Sequence, residues 1–230
     1  MKYFLFVIVF LIVSTMLQAQ DSLFMFQFSK RLQNYFVDPS FEKLKDLALE
    51  FKEIPAFKEP ANQPGSMGFF YAAFKKTKDK TALKILIEKD CADNELLVKA
   101  YLESKSKENI LIIDTHHPEL NDFYWGAFLG SGERQYVERI TFELENMQDR
   151  INADLYSAAA SAKWLLCINA QKFTLVRQYL EEIKKSASPR VKEEIESLLS
   201  MEPLEISNEM IKVLKEITDK KQIPAQEEAK

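Results

Sequence analysis

Apolar residues recur every three to four positions through most of the chain, which is the spacing of one face of an α-helix. The clearest apolar stripes are Phe41, Leu44, Leu47, Phe51 and Ile54; Val137, Ile140, Leu144 and Met147; Phe173, Val176, Leu180 and Ile183; Val191, Ile195 and Leu198; and Ile206, Met210, Val213 and Ile217. Lys and Glu fill most of the intervening positions. The pattern therefore predicts a series of amphipathic helices.

Prolines and glycines divide this pattern into elements. Proline is well tolerated in the first turn of a helix, so Pro39, Pro118, Pro189 and Pro203 predict helix starts. All five glycines precede residue 133, and β-hairpin turns usually need glycine. Together the two patterns predict an all-α fold.

The first half of the chain gives a weaker helical signal. Phe24, Phe26 and Phe28 alternate as in a strand, but the residues around them favour a helix from about Ser22 to Phe36. Further helices are predicted over 63–76, 81–89 and 94–104. Residues Ile110 to Ile113 are interpreted as an extended, buried connector.

The second half has a coarse repeat of helix pairs, predicted over 118–129 and 133–147, 154–169 and 173–186, and 189–201 and 204–218. The starts of equivalent helices lie about 35 residues apart, the length of a tetratricopeptide-like helix–turn–helix unit. The turn Gly130-Ser131-Gly132 joins the first pair. Residues 118–218 are therefore predicted to form three antiparallel hairpins, stacked as a tetratricopeptide-like superhelix or an irregular bundle.

The N-terminal residues are patterned differently from the rest. Lys2 precedes an apolar run from Tyr3 to Val13, and Leu17-Gln18-Ala19 follows it. These are the three zones of a secretory signal peptide with cleavage after Ala19. We therefore expect residues 1–19 to be a signal peptide, 20–219 one helical domain and 220–230 a disordered tail. The mature chain is expected in the periplasm or outside the cell, with no integral membrane span.

The charge balance is acidic, with 31 Lys and Arg against 35 Asp and Glu. Nucleic-acid binding depends on Lys and Arg that replace condensed counterions, so no nucleic-acid partner is expected. An acidic chain could instead mask a basic enzyme, as an inhibitor or immunity protein does. This remains one alternative function.

The two histidines are adjacent, with carboxylates close in sequence. His116 and His117 together with Asp114 and Glu119 offer the ligand types of a zinc or iron site, which gives a metal-dependent hydrolase as a second alternative. Adjacent residues rarely converge on one ion. We therefore favour an N-terminal cap of the helix that starts at Pro118.

The two cysteines leave two alternatives. Cys91 and Cys167 could form a disulfide in an exported protein, or could be free buried thiols.

The sequence offers no clear catalytic group. Glu143 and Glu145 are interpreted as part of a solvated helix face. No fingerprint of a serine hydrolase, zinc protease, P-loop or dinucleotide fold occurs in the sequence, so no catalytic residue or cofactor is assigned.

Aromatic residues are concentrated on one short predicted helix. Phe123, Tyr124, Trp125 and Phe128 cover most of its circumference, and Tyr136 begins the next helix. Such a helix either lies in the core or presents one face to a partner. The leading hypothesis is a non-catalytic interaction module that binds a protein or peptide, with these five aromatics as candidate contacts.

Two motifs resemble a group of small, mostly exported bacterial helical proteins of uncharacterised function. The first is Asn121 to Val137, which contains D-x-x-W-G-x-F-x-x-S-G-E, and the second is Ala162-Lys163-Trp164-Leu165-Leu166-Cys167-Ile168-Asn169-Ala170. A weaker match lies at Tyr35 to Pro39. Together the three matches cover roughly residues 31–185. The resemblance implies a helical fold and export, and it supplies no activity. Gly126 lies inside a predicted helix, where glycine is unfavourable by about 1 kcal/mol relative to alanine, so we expect it to permit close approach of another helix.

Overall fold

The computed structural model describes residues 24–106 and 116–222 of the chain. These residues form eleven α-helices and no β-strand, which confirms the predicted all-α fold. The predicted signal peptide, the connector Ile110 to Ile113 and the last eight residues of the predicted tail lie outside the described ranges. None of the helices in the described part is long and apolar enough to cross a membrane.

The helices follow one another through short connections. They are α1 (24–34), α2 (Phe41–Glu53), α3 (Gln63–Lys76), α4 (Lys80–Ile85), α5 (Glu95–Ser104), α6 (Pro118–Ser131), α7 (Arg134–Phe142), α8 (Ala153–Lys172), α9 (Thr174–Ser186), α10 (Pro189–Ser200) and α11 (Pro203–Gln222). Single turns of 3₁₀-helix lie at Tyr35–Val37, Pro55–Lys58 and Pro60–Asn62, and a longer one at Glu143–Gln148. One π-turn lies at Leu86–Asp90.

Local sequence signals set most of these helix starts. Pro118, Pro189 and Pro203 each open a helix, as predicted. Helix α2 begins two residues after Pro39, where the Ser40 hydroxyl accepts a hydrogen bond from the Lys43 backbone N–H. Helix α11 continues to Gln222, so its last residues extend past Lys220, where we expected the tail to begin.

Helices α3 and α6 pack backbone against backbone at the centre of the molecule. A Cβ atom built on Gly68 would lie 1.9 Å from the Phe123 carbonyl oxygen, and one on Gly126 would lie 1.9 Å from the Gly65 carbonyl oxygen. A Cβ on Gly130 would lie 2.2 Å from the Phe69 carbonyl oxygen. We call Gly65, Gly68, Gly126 and Gly130 the glycine interface. The structure confirms the prediction that Gly126 permits close helix approach.

The order of these contacts gives the relative direction of the two helices. Gly65 meets Gly126, and one turn later Phe69 meets Gly130, so both helices advance in the same direction. Helices α3 and α6 are therefore parallel, and the chain crosses over between them through α4 and α5.

The turn after α6 is shorter than predicted. Gly130 and Ser131 are helical, and only Gly132 adopts a left-handed conformation, with φ 70°. Its N–H donates to the Phe128 carbonyl at 2.6 Å and ends the helix. The predicted role of Gly130 as a turn residue is wrong, because this position is needed for contact with α3.

Helix α8 is the centre of the second half and contacts α6, α7, α9, α10 and α11. Eleven of its twenty residues are buried, and its Lys163 Nζ lies 2.8 Å from Glu194 Oε2 of α10. Helix α11 packs mainly against α8 and much less against α10, its predicted hairpin partner. The helices of the three predicted pairs are present, but their stacking as hairpins is not confirmed.

Candidate functional site

Two grooves lie on either side of the first turns of α3. The first, groove A, has a volume of about 670 Å³. Its lining residues are Phe51, Ile54, Phe57, Gln63, Pro64, Met67, Asp93, Asn94, Glu95, Leu96, Lys99 and Phe123. Apolar side chains from four α-helices and one 3₁₀ turn thus share one cavity with three charged residues.

The floor of groove A follows from the packing of three helices. Phe51 continues the buried stripe of α2, Met67 comes from α3, and Phe123 comes from α6. The rim is formed by the start of α5, which is held in place because the Asn94 side chain accepts a hydrogen bond from the Leu97 N–H at 3.0 Å. Groove A therefore has an apolar base and a polar edge.

Phe57 separates groove A from its neighbour. It lies in the segment 54–62, which two prolines fold into successive 3₁₀ turns. Its ring stacks on Phe51 at 4.9 Å between centroids and contacts Phe28 of α1 at 5.3 Å. Because Phe57 lines both cavities, it forms their common wall.

The second groove, groove B, lies where α1 crosses the glycine interface and has a volume of about 410 Å³. Its lining residues are Ser29, Leu32, Gln33, Phe57, Asn62, Gly65, Ser66, Asp122, Trp125, Gly126 and Leu129. Gly65 and Gly126 line the groove at the point where the backbones of α3 and α6 meet. Asp122, Trp125 and Leu129 are three, then four, residues apart and so share one face of α6.

Asp122 is an exposed carboxylate at the edge of groove B. It has no hydrogen-bond or ion-pair partner within residues 24–106 and 116–222. Desolvation beside the groove walls raises the pKa of Asp122, and the negative charge of nearby Glu119 raises it further. An unpaired acid in this position would be stabilised by a positive charge.

Trp125 is half-buried and forms the aromatic wall of groove B. Its ring packs on Phe128 at 5.0 Å and on Phe173 at 6.0 Å between centroids. These two contacts fix the orientation of the indole, so it offers a rigid surface.

The candidate aromatic contacts separate into two kinds of position. Phe123, Tyr124, Phe128 and Tyr136 are buried, and Trp125 is the one left half-exposed. The reason is that α6 is enclosed by α3 on its glycine side and by α7 and α8 on others. The burial of four of them fits the alternative that this helix belongs to the core, whereas Trp125 lines groove B and Phe123 lines groove A. Their role as partner contacts stays a prediction.

The two histidines do not act as a pair. His116 Nδ1 lies 2.9 Å from Glu143 Oε2 and 3.3 Å from Asn146 Nδ2, whereas His117 is exposed, 3.9 Å from Glu119 Oε2. Glu143 is therefore buried rather than part of a solvated face. His117 occupies the N-cap position of α6 as expected, but its side chain makes no capping hydrogen bond.

The metal hypothesis gains no support from the described residues. No group of three His, Cys, Asp or Glu side chains in residues 24–106 and 116–222 could hold one ion. Asp114, the fourth member of the proposed set, lies outside these ranges.

Cys91 and Cys167 are both buried and both free. Burial raises the pKa of the Cys91 thiol to about 11, and also raises the pKa of Cys167. The Cys167 thiol donates to the Met201 carbonyl at 3.4 Å. The structure thus has two separate thiols and no disulfide between them.

Several groove residues were not predicted from the sequence. Phe57 and Met67 carry no motif, and Asp122 was noted within the first family motif but not as a groove residue. The two prolines at positions 55 and 60 were the available signal, since they mark a rigid segment between two helices.

Comparison of the chain with protein-family models, curated proteins and solved structures finds no match. The resemblance of residues 31–185 to a group of exported helical proteins therefore remains a prediction.

Proposed function

We propose that this chain is an exported, non-catalytic helical module that binds a protein or peptide partner in groove A. The observation that carries the proposal is an open cavity of about 670 Å³ with an apolar base and a charged rim. Ligand sites usually combine a mostly apolar lining with a few polar groups, in cavities of roughly 300–1,000 Å³. The predicted signal peptide supports export.

The lining of groove A suits an apolar side chain of a partner. Phe57, Met67 and Leu96 are each partly exposed and converge on the cavity. Burying one Leu- or Phe-sized side chain there would contribute about 1.5–3 kcal/mol. Asp93, Glu95 and Lys99 at the rim can orient the partner backbone or its polar groups. A single anchor of this kind gives modest affinity, so contacts beyond groove A are also expected.

Site-specific photo-crosslinking tests this proposal. A photoreactive phenylalanine analogue placed at Leu96 should form an adduct with the partner in the cells that produce the chain. The matched control is Leu102, which lies on the same helix but is 59% exposed and does not line the groove. Adducts should form at position 96 and not at position 102.

A substitution inside the cavity tests whether adduct formation at position 96 depends on groove A. Met67→Gln places a polar amide at the base of groove A and should reduce the adduct yield at position 96, while circular dichroism shows that the variant is folded. Equal adduct yields at positions 96 and 102, or an unchanged yield in Met67→Gln, would remove groove A as the binding site.

A further inference from the structure

Groove B places a carboxylate and an indole side by side among apolar and uncharged polar residues. Asp122 and Trp125 project from the same face of α6, and Leu129 continues that face one turn later. Leu32 of α1 lines the opposite part of the groove. The groove thus has an apolar stretch, an aromatic surface and a negative charge.

These three features together match the chemistry of a long basic side chain. Lys and Arg have an aliphatic stem that packs on apolar residues and a charged end that stays polar. A cation over the face of a tryptophan is attracted by the ring, and a carboxylate adds a charge-assisted hydrogen bond. Leu32 and Leu129 would contact the aliphatic stem. The charged end would lie over the face of the Trp125 ring, and Asp122 would accept hydrogen bonds from the N–H groups of the charged end.

We propose that groove B binds an arginine or lysine side chain of the partner. This inference rests on the proposed function, because it specifies the chemistry of the same partner at a cavity that shares Phe57 with groove A.

The local charges support a cationic occupant. Asp122 has no ion-pair partner among the described residues, and Glu119, the charged residue that acts on it, is also acidic. Lys172 reaches the groove residue Gln33, but it donates to the side chain of Gln33 and lies 5.5 Å from the Phe173 ring. The net charge of −4 adds a long-range attraction for basic partners.

A titration with two small probes tests the proposal. The purified chain carries Trp164→Phe, so that the indole N–H resonance of Trp125 is the only tryptophan signal. The probes are Nα-acetyl-arginine methylamide and its neutral isostere Nα-acetyl-citrulline methylamide. We expect the arginine probe to shift the Trp125 signal with an affinity about tenfold higher than the citrulline probe. Added salt should weaken binding of the arginine probe more than binding of the citrulline probe.

Two variants, each lacking one carboxylate charge, test whether Asp122 is the group that binds the cation. Asp122→Asn should lower arginine affinity to the level of citrulline. Glu119→Gln removes the same charge one turn earlier on α6, and should change the affinity by less than about twofold, since Glu119 does not line the groove and would not hydrogen-bond the bound cation. Asp122 makes no hydrogen bond or ion pair in the described structure, so its replacement should leave the fold intact.

The outcomes separate this inference from the proposed function. Equal binding of both probes, no shift with arginine, or unchanged arginine affinity in Asp122→Asn would each overturn the basic side-chain site. If position 96 still forms adducts in any of those cases, the proposed function stands. Loss of the adduct at position 96 overturns the proposed function whichever way the probes bind.

Discussion

Replacing Gly126 by alanine tests the central packing contact of the fold. The added Cβ would lie 1.9 Å from the Gly65 carbonyl oxygen, 2.8 Å from its carbon and 2.9 Å from the Phe69 nitrogen. Cβ contacts under 3.0 Å essentially never occur, so α3 must move away by about 1 Å. All three atoms belong to the backbone, and no flexible side chain can move aside instead.

The expected loss of stability is the difference between two opposing effects. Overpacking of a well-packed core costs about 1–3 kcal/mol, and a backbone clash belongs at the upper end of that range. Alanine recovers about 1 kcal/mol of helix propensity relative to glycine. The net loss is therefore about 2 kcal/mol, which corresponds to a fall in Tm of about 4–8 °C for a chain of this size.

The control is Gly65→Ala, on the other side of the same interface. A Cβ there would lie 3.5 Å from the Asp122 carbonyl oxygen, an ordinary contact. Only the propensity effect remains, so the Tm should rise by up to about 3 °C. Thermal unfolding followed by circular dichroism at 222 nm measures both variants. An unchanged or raised Tm in Gly126→Ala would refute the close backbone contact between α3 and α6.

Three further predictions concern buried and unpaired polar groups. The side chains of Lys163 and Glu194 are 5% and 13% exposed, so Glu194→Leu should cost about 3 kcal/mol in urea unfolding, and adding Lys163→Met should recover most of it; a double variant as unstable as the single one would contradict this. Because burial raises the pKa of the Cys91 and Cys167 thiols, neither should react with a thiol reagent at pH 8 in the folded chain, whereas both should react in urea. Finding no reactive thiol in urea would indicate a disulfide. Folding raises the pKa of Asp122, so the stability linked to its protonated form is lost as the pH rises through the folded pKa. Asp122→Asn should therefore increase the free energy of unfolding at pH 7, with the gain disappearing below about pH 4, and a difference that does not vary with pH would count against this.

Local signals allowed the helices to be predicted, because they act over a few residues. Pro118, Pro189 and Pro203 open helices for reasons contained in the first turn. The pairing of the helices depends instead on which apolar faces meet, and helical spacing does not encode that. The sequence therefore shows that α11 has an apolar face but not that this face packs on α8.

The grooves were less predictable than the helices for a similar reason. Gly126 signalled a close helix contact, since glycine inside a helix is unfavourable without one. Its contact with Gly65 of α3 was not predicted from the sequence. Trp125 was recognised as a candidate, but four equally aromatic neighbours turned out to be buried. Composition alone does not distinguish an aromatic wall of a groove from an aromatic core.

The parallel arrangement of α3 and α6 has a consequence for how the chain reaches its fold. Parallel neighbours cannot be joined by a tight turn, so this contact forms only after more than forty intervening residues have been placed, between Lys76 and Pro118. Contacts of such large sequence separation slow folding relative to a bundle of sequential hairpins. They also make the two halves of the chain fold as one cooperative unit, because neither half alone can bury its side of the glycine interface.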